Sequence, residues 1–286
     1  MLGGLGNQMF QYATAKKMAV DRRTKVLIDL QFYENQNEND TLREYELNNF
    51  VNITASLLKK YRRPSENPYR GKKGKLLKFK DIALRRYWTY YREISHDYDD
   101  NLTFLPSNTY LNGYWQSSKY FEDIRDELLN DFFFDGKLSQ QQREIFKYVG
   151  EVNSVSVHIR RGDYITNPTA NKVHGTKGKD YYERAVREIS KTQEELELFV
   201  ISDDLEWCKK NIKFNIQTTY VDVNSNGYED MWLMSLCKHN IIANSSFSWW
   251  AAWLNKNSKK IVIAPKVWFN DLDEGKDRIP AEWLRV

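Results

Sequence analysis

The sequence is poor in cysteine, in histidine and in long apolar runs. Only Cys208 and Cys237 occur among the 286 residues, too few and too widely spaced for a disulfide framework or a zinc knuckle. The four histidines show no metal-ligand spacing. No run of about 20 apolar residues is present, so no membrane-spanning helix is predicted. The opening MLGGLGNQMF lacks a basic segment followed by an apolar one. We therefore expect no secretory signal, and a reducing cytoplasm as the location.

Positive charge is concentrated in one segment. Residues 59–92 contain thirteen Lys and Arg against two acidic residues, a net charge of +11, which leaves −7 for the rest of a chain with a net charge of +4. Such a segment suits an anionic membrane surface or a lipid-diphosphate-linked glycan. A solvated helical face with a basic loop would have the same composition. Binding to nucleic acid is not expected, because no recognisable nucleic-acid-binding motif accompanies the charge.

Strands and helices alternate in the second half of the sequence. Apolar strands are predicted at 154–159, 196–202, 218–223, 240–244 and 260–265, and helices at 180–191, 204–211, 227–239 and 246–257. In the less regular first half, helices are predicted near 7–20, 55–62, 76–92 and 119–132, and strands at 25–29 and 109–116. The alternation predicts an α/β fold with a parallel, doubly wound sheet that starts near residue 150.

Four polar clusters directly follow predicted strands of the second half. They are HIRRGDY at 158–164, SDD at 202–204, DVNSN at 222–226 and NSSFS at 244–248. In open parallel sheets, ligands bind at the carboxyl ends of the strands. The four clusters are therefore predicted to form one binding site.

Two adjacent arginines, Arg160 and Arg161, indicate an anionic ligand. A planar guanidinium donates paired hydrogen bonds to phosphate oxygens and stays charged in any surroundings. Neighbouring residues of an extended chain point to opposite faces, so we expect one arginine to face a diphosphate while the other packs or forms an ion pair. The alternative is that both form ion pairs, for example with Asp163.

Two further segments suit contact with an anion. NSSFSWWAAWL, residues 244–254, places hydroxyl groups where a strand meets a helix, and a helix N-terminus attracts anions. The alternative is that Ser246 or Ser248 caps this helix and its tryptophans lie in the core. The opening GGLGNQ, residues 3–8, is a glycine-rich turn into a helix that matches neither the dinucleotide nor the phosphate-loop pattern.

In combination, GGLGNQMFQYA, HIRRGDY and IIANSSFSWWAAWL make the sequence resemble the bacterial α-1,2-fucosyltransferases of glycosyltransferase family 11 over nearly the whole chain. The resemblance implies a GT-B fold, in which two Rossmann-like domains face each other across a cleft. The acceptor would bind to residues 1–150 and GDP-fucose to residues 151–265, and a tail at 266–286 would pack back on the first domain. The implied reaction is inverting transfer of L-fucose from GDP-β-L-fucose to the 2-OH of a terminal galactose, without a metal or other cofactor.

The resemblance also implies roles for single residues. Arg160 would contact the β-phosphate, Asp230 would recognise the nucleoside, and Asn7 would face the reacting centre. The turn around Asn7 comprises Gly4, Gly6 and Gln8. The other residues expected to bind the donor are His158, Arg161, Asp203, Asn244, Ser245, Ser246 and Ser248. Asp163 is grouped with the catalytic residues, but the general base is not identified, and its candidates are Asp29, Asp163, Glu229 and His174.

The remaining expectations concern metals, partners and alternatives. The triplets DYD (97–99) and DLD (271–273) match the signature of metal-dependent glycosyltransferases, but neither follows a clear buried strand, so no metal is expected.

The acceptor is expected to be a galactose-terminated oligosaccharide, free or lipid-linked, at the cytoplasmic face of a membrane that residues 59–92 contact. The alternatives are a transferase of the same fold with another sugar nucleotide, and a non-catalytic nucleotide- or membrane-binding protein.

Overall fold

The computed structural model describes residues 1–36, 41–58, 88–223, 225–270 and 276–286. In the first half, the described residues form two separate pairs of parallel strands. β1 (Val26–Ile28) pairs with β2 (Ala55–Leu57), and β3 (Thr89–Arg92) pairs with β4 (Thr109–Asn112). The α-helices of this half are α1 (Leu5–Asp21), α2 (Gln31–Glu34), α3 (Arg125–Asp131) and α4 (Gln140–Glu151). Short 3-10 helices lie at Leu47–Asn49, Asp100–Phe104, Ser118–Tyr120 and Glu122–Ile124.

Two helix predictions in the first half are wrong where the structure describes the chain. Residues 55–57 and 89–92 were expected to be helical and instead form β2 and β3. The helix expected at 119–132 is broken into two 3-10 turns followed by α3. Most of the basic segment, at 59–87, lies outside the described residues, and its contact with a membrane stays a prediction.

The second half contains a six-stranded parallel sheet, which confirms the α/β class. Its strands are β5 (Asn153–Ile159), β6 (Leu196–Ser202), β7 (Thr218–Tyr220), β8 (His239–Ile241), β9 (Val262–Ala264) and β10 (Leu284–Arg285). Their order across the sheet is β7-β6-β5-β8-β9-β10. The order reverses between β5 and β8, and such a switch point is where doubly wound sheets bind ligands.

The helices of the second half lie between these strands in the sequence. They are α5 (Gly162–Thr166), α6 (Pro168–His174), α7 (Lys179–Ile189), α8 (Leu205–Asn211), α9 (Gly227–Leu236) and α10 (Ser246–Leu254). The apolar residues of β5 pack with those of α7 and α8 in one buried cluster. This layer supports the end of β5, where the polar cluster HIRRGDY begins.

A second buried cluster joins the two halves of the chain. The ring of Phe10 in α1 lies 4.5 Å from that of Trp249 and 5.0 Å from that of Trp250, both in α10. Phe121 stacks on Trp250 with 5.3 Å between the ring centroids. Trp249, Trp250 and Trp253 are all buried, which confirms the part of the alternative that placed these tryptophans in the core.

The last residues of the chain contact both halves. β10 pairs with β9 at the edge of the six-stranded sheet. In the first half, Ser117 Oγ donates a hydrogen bond to the backbone oxygen of Asp277 at 2.8 Å, and Lys119 forms an ion pair with the carboxylate of Asp277. Residues 276–286 thus connect the sheet to the segment that follows β4.

Candidate active site

Arg160 is the first residue beyond β5, at the switch point of the sheet. Its Nη2 lies 2.5 Å from Asp163 Oδ1, and its Nη1 lies 2.8 Å from Asp203 Oδ2. Burial opposes the charge, but the carboxylates of Asp203 and Asp163 raise the pKa of Arg160 above its usual value. The guanidinium is therefore a fixed cation held between two carboxylates.

Asp203, just beyond β6, reaches Arg160 because residue 162 is a glycine. A Cβ at Gly162 would lie only 2.4 Å from Asp203 Oδ2. The other carboxylate oxygen of Asp203 accepts a hydrogen bond from the backbone N–H of Arg161 at 2.8 Å. The clusters after β5 and β6, which the sequence predicted to converge, therefore meet directly.

Arg161 makes different contacts from Arg160. Its Nε donates a hydrogen bond to Asp204 Oδ2 at 2.9 Å, and its guanidinium carbon lies 3.5 Å from the ring centroid of Trp207. Stacking of this kind stabilises a cation against an aromatic face. Arg161 thus packs and forms an ion pair. Because Arg160 is also paired with Asp163, the structure shows the alternative in which both arginines form ion pairs, and contact of either arginine with a donor stays a prediction.

A third arginine, Arg43, joins the cluster from the first half. Its Nη2 forms a short hydrogen bond with Asp163 Oδ2, so that the Asp163 carboxylate bridges Arg43 and Arg160. The guanidinium also lies beside Gly4, where an added Cβ would be 3.7 Å from Arg43 Nη1. Gln36 fixes the backbone of Arg43 through two hydrogen bonds of 2.7 Å. Arg43 was not predicted from the sequence, because nothing in an irregular loop indicates a partner 120 positions away.

The glycine turn lies against the start of α10. A Cβ at Gly6 would lie 2.5 Å from the carbonyl carbon of Ser246 and 2.6 Å from the backbone nitrogen of Phe247. The N-terminal ends of α1 and α10 therefore meet, with Arg43 beside Gly4 at the start of α1. Helix N-termini carry partial positive charge, so these ends and the arginines together favour an anion.

Asn7 and Gln8 have different surroundings within the glycine turn. The side-chain oxygen of Asn7 accepts a hydrogen bond from Gln116 Nε2 at 2.6 Å. The side chain of Gln8 is fully buried and donates to the backbone oxygens of Gly3 and Glu44 at 3.0 and 2.7 Å. Gln8 therefore fastens the loop that carries Arg43 to the turn, and the structure gives it a positioning role.

The serines at the start of α10 are not caps of the expected kind. The N-cap residue is Ser245, whose side chain makes no capping hydrogen bond, so the alternative in which Ser246 or Ser248 caps the helix is wrong. Ser248 is fully buried, and its hydroxyl lies 3.3 Å from the backbone oxygen of Ser245. Ser245 and Ser246 are the two whose hydroxyls stay candidates for contact with phosphate.

Asn244 holds neighbouring loops together. Its Nδ2 is within hydrogen-bond distance of the backbone oxygens of His174, Gly175 and Trp268, at 2.8, 3.3 and 3.0 Å. An amide has two N–H groups, and both are used in these contacts. Neither N–H of Asn244 is therefore left for the predicted contact with GDP-fucose.

Asp230, the residue expected to recognise the nucleoside, lies near the start of α9. Asp230 accepts a hydrogen bond from Ser225 Oγ at 2.5 Å, and burial raises its pKa to about 6. The half-exposed ring of Phe247 lies 3.7 Å from where a Cβ of Gly227 would be, and 5.5 Å from the ring of His158. Phe247 was not among the residues that the sequence predicted for the site. Its position suits stacking on a flat base whose edge Asp230 would recognise.

His158 is buried beneath this region, and its ring is neutral. Burial, with a smaller contribution from Arg160, lowers its pKa to about 3. Its Nδ1 finds no hydrogen-bond partner in the described part of the chain. A neutral imidazole next to Arg160 adds no charge that would compete with the arginine for an anion.

The four candidates for the general base have different environments. Glu229 belongs to the capping box of α9 and accepts a hydrogen bond from Gln142 Nε2 at 2.9 Å, so its role is structural. Asp163 lies between two arginines. Asp29 accepts a hydrogen bond from the hydroxyl of Tyr110 at 2.9 Å. His174 stacks on Tyr164 with 4.7 Å between the rings, and burial lowers its pKa to about 4.

Other polar groups of the described residues have structural roles. Asp97 accepts a hydrogen bond from the backbone N–H of Lys276 at 2.7 Å, and Asp99 accepts one from the hydroxyl of Tyr91 at 2.5 Å. Residues 271–273 lie outside the description.

Across the described ranges, no three His, Cys, Asp or Glu side chains are grouped for a metal ion, and no helix has the length and apolar character to cross a bilayer.

The sequence of the whole chain is similar to those of known proteins. Residues 1–286 match the family described as glycosyl transferase family 11. An Escherichia coli protein named alpha-1,2-colitosyltransferase is 35% identical over 292 residues, which cover 100% of this chain and 97% of the relative. The Escherichia coli O-antigen biosynthesis glycosyltransferase WbnK is 38% identical, covering 96% of this chain and 95% of the relative. Galactoside alpha-(1,2)-fucosyltransferase 1 of Leontopithecus chrysomelas is 26% identical, covering 50% of this chain and 42% of that protein.

Proposed function

The chain belongs to glycosyl transferase family 11, and on this basis we propose that it transfers L-fucose from GDP-β-L-fucose to the 2-OH of a terminal galactose, giving an α-1,2 linkage. One observation carries the proposal. Arg160 directly follows β5, and α10 begins five residues after β8, so both lie at the carboxyl ends of the two strands that form the switch point of the parallel sheet. A cation and free backbone N–H groups at this position suit the diphosphate of a sugar nucleotide.

The reaction is a single displacement at the anomeric carbon of the sugar. The acceptor hydroxyl attacks from the face opposite the diphosphate, the bond from the anomeric carbon to the diphosphate oxygen breaks, and the configuration inverts from β to α. Negative charge grows on the β-phosphate as GDP leaves, so Arg160 stabilises the transition state more than the bound donor. We propose that arginine and helix dipole supply this neutralisation without a metal ion.

The acceptor proton passes to a base or to water as the new bond forms. Of the four carboxylates and imidazoles considered, Glu229 is held in a helix cap, which leaves Asp29, Asp163 and His174. Asn7 lies in the turn at the start of α1, with its amide oriented by Gln116. We assign it to the acceptor side of the reacting centre.

The sugar of the donor is the least constrained part of the proposal. One relative is named for the transfer of colitose, which is fucose without its 3-hydroxyl group, and another for the transfer of fucose. GDP-colitose is therefore the alternative donor. For the acceptor, one relative is named for O-antigen biosynthesis, which favours a surface glycan. We propose that this glycan is linked to a lipid at the cytoplasmic face of a membrane, which residues 59–92 would contact.

The test is to incubate the purified protein with lactose and GDP-fucose or GDP-colitose in the presence of EDTA. Mass spectrometry detects the product, and NMR identifies its linkage. Fucose linked α to O2 of galactose supports the proposal in full. Product from GDP-colitose alone would mean that the donor is GDP-colitose and not GDP-fucose. Loss of product in EDTA would contradict metal independence. If the protein binds GDP but releases neither GDP nor sugar from GDP-fucose or GDP-colitose, it is a non-catalytic binding protein instead.

A further inference from the structure

We propose that Arg43 is a second arginine of the diphosphate site, supplied by the first half of the chain, and that Asp163 occupies the place of a phosphate group between Arg43 and Arg160 until the donor binds. This inference rests on the proposed function, because it concerns the same diphosphate. It adds a residue to the site and gives Asp163 a role as a competitor of the donor.

The position of Arg43 is unfavourable unless an anion is present. Its guanidinium lies beside Gly4, directly before the first turn of α1. The N-terminus of a helix carries a partial positive charge, which repels a cation and attracts an anion. Two anionic groups offset this repulsion now: Asp163 bonds to Arg43, and Glu46 accepts a hydrogen bond from the N–H of Leu5 at 3.1 Å.

The geometry at Asp163 resembles that of a bound phosphate. Its two carboxylate oxygens bond to two guanidinium groups, Oδ2 to Arg43 and Oδ1 to Arg160. Oxygens of one phosphate group bind pairs of arginines in the same way, because both are anions with several acceptors on one centre. The arginines come from opposite halves of the chain, so the anion between them connects the halves.

Charge balance requires that a carboxylate leave when the donor arrives. Arg43 and Arg160 are matched by Asp163 and Asp203, so the cluster as it stands offers a diphosphate no net positive charge. Asp203 is held in place by the backbone N–H of Arg161. Within the described residues, the carboxylate of Asp163 bonds to the two arginines alone, so it is the one free to move.

The loop that carries Arg43 is positioned for this task. Gln36 brackets the backbone of Arg43, and Gln8 accepts a hydrogen bond from the backbone N–H of Glu46 at 2.8 Å. The loop is thus fixed at both sides of the arginine. Arg43 can exchange one anion for another without moving its backbone, which limits the conformational cost of binding.

The experiment measures the affinities of GDP and GMP by titration calorimetry for the wild type, Arg43→Gln, Arg43→Lys and Asp163→Asn. Charge-assisted hydrogen bonds contribute enough that Arg43→Gln should weaken GDP about 10-fold to 100-fold, and GMP by much less. Arg43→Lys should lie between, because the charge remains but the fork is lost. Asp163→Asn should bind GDP more tightly than the wild type, because no carboxylate competes.

The control is Arg187→Gln, which removes the same charge from an exposed site on α7 and should leave both affinities unchanged. Equal GDP affinities for the wild type and both Arg43 variants would overturn the assignment of Arg43 and leave the proposed function intact. Weaker GDP binding by Asp163→Asn would overturn the competition. Absence of GDP binding to the folded wild type would instead overturn the proposed function. Circular dichroism establishes that each variant is folded.

Discussion

Gly6 lies in contact with the backbone of Ser246, so that the first turn of α1 touches the first turn of α10. An added Cβ would lie 2.5 Å from a backbone carbon, which cannot move as the end of a side chain can. Overpacking usually costs about 1–3 kcal/mol, and we expect Gly6→Ala to fall at the upper end. Urea unfolding measures the free-energy change.

Gly150→Ala is the matched control for this substitution. Gly150 lies in α4, and a Cβ there would have no heavy atom within 4 Å. Alanine is favoured over glycine inside a helix by about 1 kcal/mol, so this variant should be more stable than the wild type. Gly6→Ala with wild-type stability would contradict the close approach of the two helices.

Arg160 and Arg161 should respond differently to the same conservative substitution. Arg160→Lys loses the planar fork that is proposed to hold the leaving phosphate, and we expect kcat to fall by about 100-fold or more, as for the loss of one oxyanion donor. Arg161→Lys loses the stacking on Trp207, which lowers stability by about 1 kcal/mol with a smaller loss of turnover. Steady-state kinetics and thermal unfolding of both variants check the contrast. Near-normal turnover of Arg160→Lys would show that Arg160 does not act at the reacting centre.

The raised pKa of Asp230, about 6, predicts that guanine recognition weakens in acid. In the proposed site, the ionised carboxylate would accept two N–H groups of the guanine edge, whereas the protonated form is a poorer acceptor. Affinity should therefore be full above pH 7 and fall below pH 6, approaching about tenfold per pH unit as one proton is taken up. Titration of guanosine avoids the ionisation of the phosphates. Asp230→Asn should bind weakly with no such pH dependence, and a wild-type affinity that is flat from pH 7 to 5 would exclude Asp230.

Gln116 should affect turnover through Asn7. Its Nε2 bonds to the side-chain oxygen of Asn7, which orients the amide. Gln116→Ala removes the restraint, and the loss of about one hydrogen bond predicts a kcat lower by about 3-fold to 10-fold. Gln116→Glu offers an acceptor instead and would turn the amide over, so its loss should be larger. GDP affinity should stay unchanged in both, and an equal fall in GDP affinity would place Asn7 on the donor side.

The sequence indicated the second half of the fold well, because its strands are continuous apolar runs separated by amphipathic helices. β5, β6 and α7 begin within one residue of their predicted positions. The segments 55–57 and 89–92 lie at the ends of the helices predicted near 55–62 and 76–92, but each pairs with another strand. Tertiary pairing of this kind overrides local propensity.

The candidate site was predictable where it follows strands and not where it depends on loops. Arg160 and Asp203 follow adjacent strands, so sheet topology alone brings them together. Arg43 lies in a loop, and its partner Asp163 is 120 positions away. The roles of Gln8 and Asn244 were also hidden, because polar side chains that bond to backbone look the same in a sequence as those that bind a ligand.

The ring cluster of Phe10, Phe121, Trp249 and Trp250 limits how parts of such proteins can be exchanged. Neither half of the chain completes this core alone, since α1 supplies one face and α10 the other. A chimaera that joined residues 1–150 to the second half of a relative would have to match these rings in size and tilt. A half with rings of another size would leave a cavity or a clash where α1 meets α10, and the chimaera would lose the stability that this contact supplies.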